Sequence, residues 1–228
     1  MTDFRFDEAS HQYFVDGQEW PGFSFLMKES GLVDDSHYND FGKTRGHAVH
    51  AGTALYDKGI LDRYTLDPVS VPYIEAYKKF VKDTGFKSDV IEKPMWSPLG
   101  FACTVDRIGC MGSERGPLEI KSGSVHWTIK YQTVCQAICN DLEYCPRWVL
   151  MLRENGKYLL KSLPIEDFER DKDEFLAIVK WFWLRKTMRW PPAIESRIRP
   201  LEPILNAIEN WGHMKDPFEE HVNTGEKI

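Results

Sequence analysis

The sequence predicts a mixed α/β fold in which helices cover a central β-sheet. Two observations predict it: strand-like runs alternate with one helical stretch between residues 90 and 163, and amphipathic helical patterns lie on both sides of that region. A length of 228 residues with 42% hydrophobic content suits one sizeable core. We therefore expect a single domain spanning residues 1–228.

The N-terminal third predicts a hairpin followed by helices. The runs HQYFV and QEW flank the Asp-Gly pair at 16–17, which tolerates the positive φ of a tight turn. Ser24 is expected to cap a short helix that ends at Gly31. Apolar spacing then predicts a longer helix over 36–58 and another over 73–82.

The remaining elements follow in a regular order. Strand predictions rest on β-branched and apolar runs bounded by Gly, Pro and Ser, and helix predictions rest on helical periodicity. The sequence predicts strands at 90–96, 100–109 and 117–123, a helix over 125–142, a hairpin of strands at 147–154 and 158–164 around Asn155-Gly156, and a charged helix over 166–189.

Composition excludes several classes of protein. No apolar run approaches the ~18 residues that a membrane span needs, and residues 1–14 lack the basic start and apolar stretch of a secretion signal. We expect no membrane association and a cytoplasmic location. The net charge of −6 does not indicate a polyanionic partner, although an acidic enzyme can bind nucleic acid through one basic groove.

The cysteines predict neither a disulfide framework nor a metal cluster. They are five in number, scattered, and lack paired Cys-x-x-Cys spacing, so we expect reduced thiols. Cys135 and Cys139 lie one helical turn apart and could share a ligand set with Cys145. An iron–sulfur cluster needs four thiolates, and no fourth ligand is apparent.

The most informative stretch is CTVDRIGCMGSERGPLEIKSG, residues 103–123, which predicts a hairpin with its turn near 112–113. A register that places Asp106 opposite Glu119 centres the turn at that point. Alternation along the strand then puts Glu119 and Lys121 on one face. Opposed side chains have Cβ atoms ~4.5–5.5 Å apart, where like charges repel. The pair therefore predicts a divalent hard cation such as Mg²⁺, although an isolated Glu-x-Lys is far more often an ordinary ion pair on a surface hairpin.

Several motifs in order resemble the PD-(D/E)XK nuclease superfamily, in particular its RecB-like and phage exonuclease branch. They are RGHAVH (45–50), Glu92, TVDRIG (104–109), LEIKSG (118–123) and YQTVCQA (131–137), matching over roughly residues 11–140. The N-terminal HQYFVDG and PGFS segments are also similar to the lead-in of phage members. The resemblance implies a restriction-endonuclease-like core with an N-terminal hairpin and C-terminal helices.

The resemblance also implies a metal site. Asp106 and Glu119 would bind the ion through their carboxylates and Ile120 through its backbone carbonyl. His50 fits the histidine ligand of this branch, and Glu92 matches the first acidic position of the family. A lone histidine would otherwise be interpreted as a hydrogen-bonded core residue. One or two Mg²⁺ or Mn²⁺ ions are expected, since imidazole in the ligand set favours tolerance of manganese.

Catalytic roles follow from the same resemblance. Lys121 would be the catalytic lysine, which holds or deprotonates the attacking water or offsets charge on the phosphorane. Gln132 is expected to contact Lys121 or the scissile phosphate. The branch usually has tyrosine where this chain has Gln136, whose amide shares a helix face with Gln132.

Candidate DNA contacts lie on three predicted helices. Arg45 is expected to hold a phosphate bidentately, and Gln136 is a further candidate contact. His126, Trp127 and Lys130 could stack on a base and meet the backbone, with a core position equally open for Trp127. In the last helix, basic and aromatic residues interleave from Lys180 to Trp190; we expect core packing for most aromatics there and phosphate contacts for the basic residues.

The sequence thus predicts a Mg²⁺- or Mn²⁺-dependent DNA exonuclease of phage-type recombination or DNA repair. Family analogy adds 5′→3′ polarity and 5′-phosphate products. The expected partners are DNA and a single-strand annealing protein in a phage-infected or prophage-carrying bacterium. A structure-specific endonuclease, which would nick closed circles, and a catalytically silent DNA-binding module are the alternatives. Strand preference, ion number and oligomeric state, including a ring, stay open.

Overall fold

The computed structural model describes residues 2–34 and 40–188. By its internal contacts the chain divides into two units, Met1–Trp183 and Leu184–Ile228. The second unit lies almost entirely outside the described residues, so a single domain over 1–228 stays a prediction. Within the described ranges, none of the helices combines the length and apolar character that crossing a membrane takes.

A small antiparallel sheet forms the N-terminus, in the order β1 (Phe4–Asp7), β2 (Gln12–Val15) and β3 (Gln18–Trp20). The predicted hairpin is confirmed: Asp16 has φ 49° and Gly17 has φ 76° at the turn between β2 and β3. The sequence does not predict β1, because a four-residue segment is too short to show a clear alternation.

Three helices follow: α1 (Phe23–Glu29), α2 (Asp40–Asp57) and α3 (Val71–Thr84). The prediction that Ser24 caps α1 is wrong, because Gly22 holds the N-cap position and Ser24 lies inside the helix. The Tyr13 ring packs so closely on Gly22 that a Cβ there would lie 2.7 Å from it. Gly31, with φ 74°, ends this region as predicted. Residues 36–39 of the predicted second helix lie outside the described residues.

The central sheet confirms the mixed α/β class. Its strands run in the order β4 (Lys87–Ser97), β5 (Phe101–Met111), β6 (Glu114–Lys121), β7 (Arg147–Leu152) and β8 (Tyr158–Leu163). Neighbouring strands are antiparallel except β6 and β7, which are parallel. The helix α4 (Ile129–Ile138) lies in the connection between that parallel pair, as such a crossover requires. The last described helix is α5 (Phe168–Met188).

The helix α4 is shorter than the predicted span of 125–142. At its C-terminal end the chain turns, since the Leu142 N–H donates to the Ala137 carbonyl and Asp141 has φ 53°. At its start the Ile129 N–H donates to the His126 carbonyl, so the preceding residues also form a turn.

Two hydrophobic clusters hold the helices on the sheet. One packs residues of α1, α4 and α5 against β5. The other packs residues of α2 and α3 against β6 and β7, with Leu118 and Ile120 fully buried in it. Alternation along β6 therefore directs Glu119 away from this second cluster, as predicted.

The β5–β6 hairpin has the predicted register. Its ladder runs from the pair Met111–Glu114 to the pair Arg107–Leu118, and Asp106 and Glu119 are the next residues on the two strands. The ladder ends there, and the Ile120 N–H donates to Oδ2 of Asp106 at 2.8 Å. The end of this hairpin is therefore the place where acidic side chains meet.

Candidate active site

Three acidic residues lie on three adjacent strands: Glu92 on β4, Asp106 on β5 and Glu119 on β6. In the β4–β5 ladder Glu92 falls opposite Asp106, where the backbone pairing is interrupted. Glu92 has φ 43°, a conformation that is uncommon for residues other than glycine and clusters at functional sites. The strands therefore bring the three predicted acidic residues together in one row.

His50 of α2 lies beside the carboxylates of Glu92 and Asp106, and its role as a metal ligand stays a prediction. Its Nδ1 lies 3.1 Å from Oε1 of Glu92 and 3.6 Å from Oδ1 of Asp106. One ligand atom from each of His50, Glu92 and Asp106 lies within 4.8 Å of the others. Gly46, one turn earlier on α2, has open space where a Cβ would be, so the prediction that it leaves room beside His50 agrees with the structure.

The clustered carboxylates of this group favour a positive charge among them. Burial and the neighbouring Glu119 and Glu92 carboxylates raise the pKa of Asp106 to about 7, although His50 and Lys121 act in the opposite sense. Burial disfavours the His50 imidazolium, but Asp106 and Glu92 outweigh it and raise the pKa of His50 to about 9. A partly buried group of this kind, with oxygen and imidazole donors within reach of one another, fits a divalent cation such as Mg²⁺ or Mn²⁺.

Lys121 and Glu119 form an ion pair at the end of β6. The Lys121 ammonium lies 2.6 Å from Oε1 of Glu119, which is almost fully buried, and it donates to Oε1 of Gln132 at 3.3 Å. The predicted contact between Gln132 and Lys121 is therefore present. Lys121 is itself partly exposed, with a side-chain accessibility of 29%.

Gln136 differs from its prediction as a DNA contact. Its side chain is fully buried, and its amide donates to Oε2 of Glu119 at 2.5 Å. A buried amide one turn from Gln132 cannot reach DNA, so this assignment is corrected: Gln136 positions the Glu119 carboxylate. Both Glu119 oxygens are thus held by protein groups, one by Lys121 and the other by Gln136.

Ile120 is close to the acidic row through its backbone. Its N–H is bonded to Asp106, and its side chain is fully buried. The ligand role of its carbonyl stays a prediction.

Arg45 of α2 lies beside the loop that follows β6. Its guanidinium is 5.5 Å from the Tyr73 ring centroid, and its Nη2 lies 3.4 Å from where a Cβ on Gly123 would be. Its Nε is buried and has no hydrogen-bond acceptor among the described residues. Gly123 is two residues after Lys121, so the guanidinium lies near the site, and the phosphate contact stays a prediction.

The other candidate DNA contacts, at the start of α4, differ in their exposure and in their partners. His126 is exposed, whereas Trp127 packs partly buried against the cluster of β5, α4 and α5. Lys130 is only 14% accessible, and its ammonium lies 2.7 Å from Glu174 and 3.6 Å from Asp171. These α5 carboxylates pair with Lys130, and its contact with the DNA backbone stays a prediction. The contact through His126 stays a prediction.

The last helix packs largely as predicted. Phe175, Val179 and Phe182 are buried in the core, and the indole N–H of Trp183 donates to the Gly100 carbonyl at 2.7 Å. Trp181 is partly exposed. The basic and aromatic residues at 189 and 190 lie outside the described residues.

Sequence reasoning missed the role of Arg107. This arginine is fully buried and donates to Asp57 at 2.5 Å, to Glu92 at 2.7 Å and to Thr53 at 3.0 Å. It also donates to the Asp106 carbonyl at 2.6 Å. The available signal was its place in the motif VDRIG, since the residue after Asp106 must face the other side of β5 and a buried arginine needs carboxylate partners.

Comparisons with known proteins give little beyond this geometry. A scan of protein-family models finds no match, and a search of curated proteins finds no significant match. Among solved structures, LHK-Exo in complex with dAMP matches with 16% identity, over 63% of this chain and 85% of that chain, at a TM-score of 0.30. A second structure, an alkaline exonuclease (LHK-Exo) from Laribacter hongkongensis, matches with 15% identity over the same shares, at 0.29. A likeness at this level does not establish a shared function.

Proposed function

We propose that the chain is a metal-dependent deoxyribonuclease of the PD-(D/E)XK type. The observation that supports it most is the convergence of His50, Glu92 and Asp106 beside the Lys121–Glu119 ion pair. These residues come from a helix and three strands and include the acidic and lysine positions of the motif that the sequence carries.

In this proposal the ion is Mg²⁺ or Mn²⁺, with one or two per site. His50, Glu92 and Asp106 would hold it, and Glu119 would join with the Ile120 carbonyl once its bond to Lys121 opens. When bound, such a cation supplies Lewis-acid activation of water and neutralises phosphoryl charge.

Lys121 is the residue proposed to stabilise negative charge on the reacting phosphate. Its ammonium lies beside Glu119 and Gln132, and its side chain is partly exposed, so it is within reach of a phosphate that approaches from solvent. Exchange of Glu119 for a phosphate oxygen would place its positive charge where negative charge develops on phosphorus. The fixed Gln132 acceptor and the Gln136 donor to Glu119 keep both groups in place during that exchange.

Arg45 and His126 are the proposed DNA contacts. A guanidinium with an unsatisfied buried N–H beside Gly123 suits bidentate capture of a backbone phosphate. His126 is exposed at the start of α4. Affinity for DNA should then fall as salt rises, since phosphate contacts release counterions.

The proposed mode of attack, polarity, products and pathway rest on the resemblance of the motifs alone. It gives an exonuclease that acts from DNA ends, runs 5′→3′ and leaves 5′-phosphates in phage-type recombination or DNA repair. A single-strand annealing protein is the proposed partner.

The test is digestion of end-labelled linear duplex DNA and of closed circular DNA, each with magnesium, manganese or a chelator. We expect linear DNA to shorten from its ends with either metal, circles to stay closed, and chelator to stop the reaction. Separate 5′ and 3′ labels report the polarity. Nicking of circles at the rate of linear digestion would indicate an endonuclease, and no cleavage of either substrate would contradict the proposal.

A further inference from the structure

A second cluster of ligand-type side chains lies inside the core. The sulfurs of Cys103 on β5 and of Cys135 and Cys139, at and just past the C-terminal end of α4, all lie within 4.8 Å of one another. All three residues are buried, with accessibilities of 3%, 0% and 7%. The sequence placed Cys145 with the α4 pair, but the fold brings Cys103 there instead.

The placement follows from the local structure. Positions four apart on a helix share a face, so Cys135 and Cys139 both point to the sheet below α4. Cys103 rises from β5 into the same hydrophobic cluster. Hydrogen bonding to Cys103 and Cys135 lowers the pKa of the Cys139 thiol to about 5, whereas burial and hydrogen bonding to Cys139 raise the pKa of the Cys103 and Cys135 thiols well above the usual value.

The number and softness of the donors restrict which ion can bind. A structural zinc site takes four protein ligands, and iron–sulfur clusters need four thiolates. Among the described His, Cys, Asp and Glu residues, no fourth one joins this group. Thiolates select soft ions, of which Cu(I) accepts three sulfurs in a plane.

The spacing is close to what such an ion requires. With a metal–sulfur bond of ~2.3 Å, three sulfurs in a plane around one ion lie ~4 Å apart. The present separations of 4.8 Å or less need only small side-chain movements to reach that arrangement.

We propose that Cys103, Cys135 and Cys139 bind one soft, thiophilic metal ion of the Cu(I) type, at a place distinct from the proposed nuclease site. Binding displaces thiol protons to solvent and changes no oxidation state. Because β5 carries Asp106 and α4 carries Gln136, which donates to Glu119, the bound ion would tie together two elements that contribute to the proposed nuclease site.

The test is an anaerobic titration of the reduced protein with Cu(I) held by a coloured, weakly competing chelator. We expect the protein to remove one ion per chain from the chelator. Cys135→Ser and Cys139→Ser should lose this binding. Cys110→Ser is the matched control, since Cys110 lies on β5 outside the cluster, and it should bind like the unaltered protein.

A second measurement keeps the test independent of variant folding. In the unaltered protein, Cu(I) should protect Cys103, Cys135 and Cys139 from alkylation under partly denaturing conditions, as read by peptide mass spectrometry. Cys110 should react at the same rate with and without the ion. Absence of one-to-one binding, retention of binding in both serine variants, or protection of Cys110 instead would overturn the proposal.

Discussion

Lys121 is the residue whose placement most directly links geometry to chemistry. Its ammonium is held between Glu119 and Gln132 yet keeps partial exposure, so it can move to a phosphate oxygen without leaving its strand. We predict that Lys121→Ala lowers cleavage by about 10²- to 10⁴-fold, the usual range for a positioned proton-transfer or charge-stabilising group. DNA binding, measured by fluorescence anisotropy in chelator, should be retained.

Lys58→Ala is the matched control for that variant, because Lys58 is an exposed lysine just beyond α2. It should cleave at the rate of the unaltered protein. Undiminished turnover in Lys121→Ala would refute the assignment of this lysine.

Arg107 gives a prediction about stability. It is fully buried between two carboxylates, those of Asp57 and Glu92. Replacement by methionine removes the buried guanidinium that pairs with both carboxylates, so we expect Arg107→Met to lower the free energy of unfolding by about 3–5 kcal/mol. Chemical denaturation followed by circular dichroism measures this change.

Arg115→Met is the comparison variant for Arg107→Met. Arg115 pairs with Asp89 on the surface, with both side chains about two-fifths exposed. Loss of this surface ion pair should lower the free energy of unfolding by only about 0–1 kcal/mol. Equal losses of stability in the two variants would contradict the burial argument.

At the scale of elements, the β5–β6 hairpin shows how far sequence reasoning reaches. Its register follows from a turn centre and from strand alternation, both of which are local properties. The partners of Arg107 do not follow in this way, because Asp57 is fifty residues away in the chain and its approach depends on how α2 packs. The Lys130 ion pairs with α5 were missed for the same reason.

The strand β6 needs a residue without a side chain at Gly116. A Cβ there would lie 1.9 Å from the Pro146 carbonyl oxygen, a backbone atom that cannot yield easily. We predict that Gly116→Ala pushes β6 away from the start of β7. It should lower the free energy of unfolding by at least about 1–3 kcal/mol, the usual cost of overpacking. Thermal unfolding measures the effect.

Gly46→Ala is the control for Gly116→Ala. It lies inside α2 with open space at its Cβ position, so the substitution should stabilise the helix by up to about 1 kcal/mol. A loss of stability as large as that of Gly116→Ala would show that close approach is not the reason for glycine in β6.

At the scale of the whole molecule, the order of motifs along the chain predicts which residues meet. His50, Glu92 and Asp106 come from separate elements, and the sheet with α2 packed against it brings them together. The sequence could not show that Gln136 is buried against Glu119, because this depends on the depth at which α4 packs.

The central claim is that the acidic row and His50 bind a divalent ion, and Mn²⁺ binding measured by electron paramagnetic resonance without DNA tests it most directly. Asp106→Asn keeps an oxygen acceptor for the Ile120 N–H and removes a buried negative charge, so it should fold. Asp89→Asn, at the exposed pair with Arg115, is the control. We predict that the unaltered protein and Asp89→Asn bind Mn²⁺ alike and that Asp106→Asn binds more than about tenfold more weakly, since even residues that only orient ligands contribute ~10–100-fold. Equal Mn²⁺ affinity in all three proteins, or no binding by the unaltered protein, would contradict the claim.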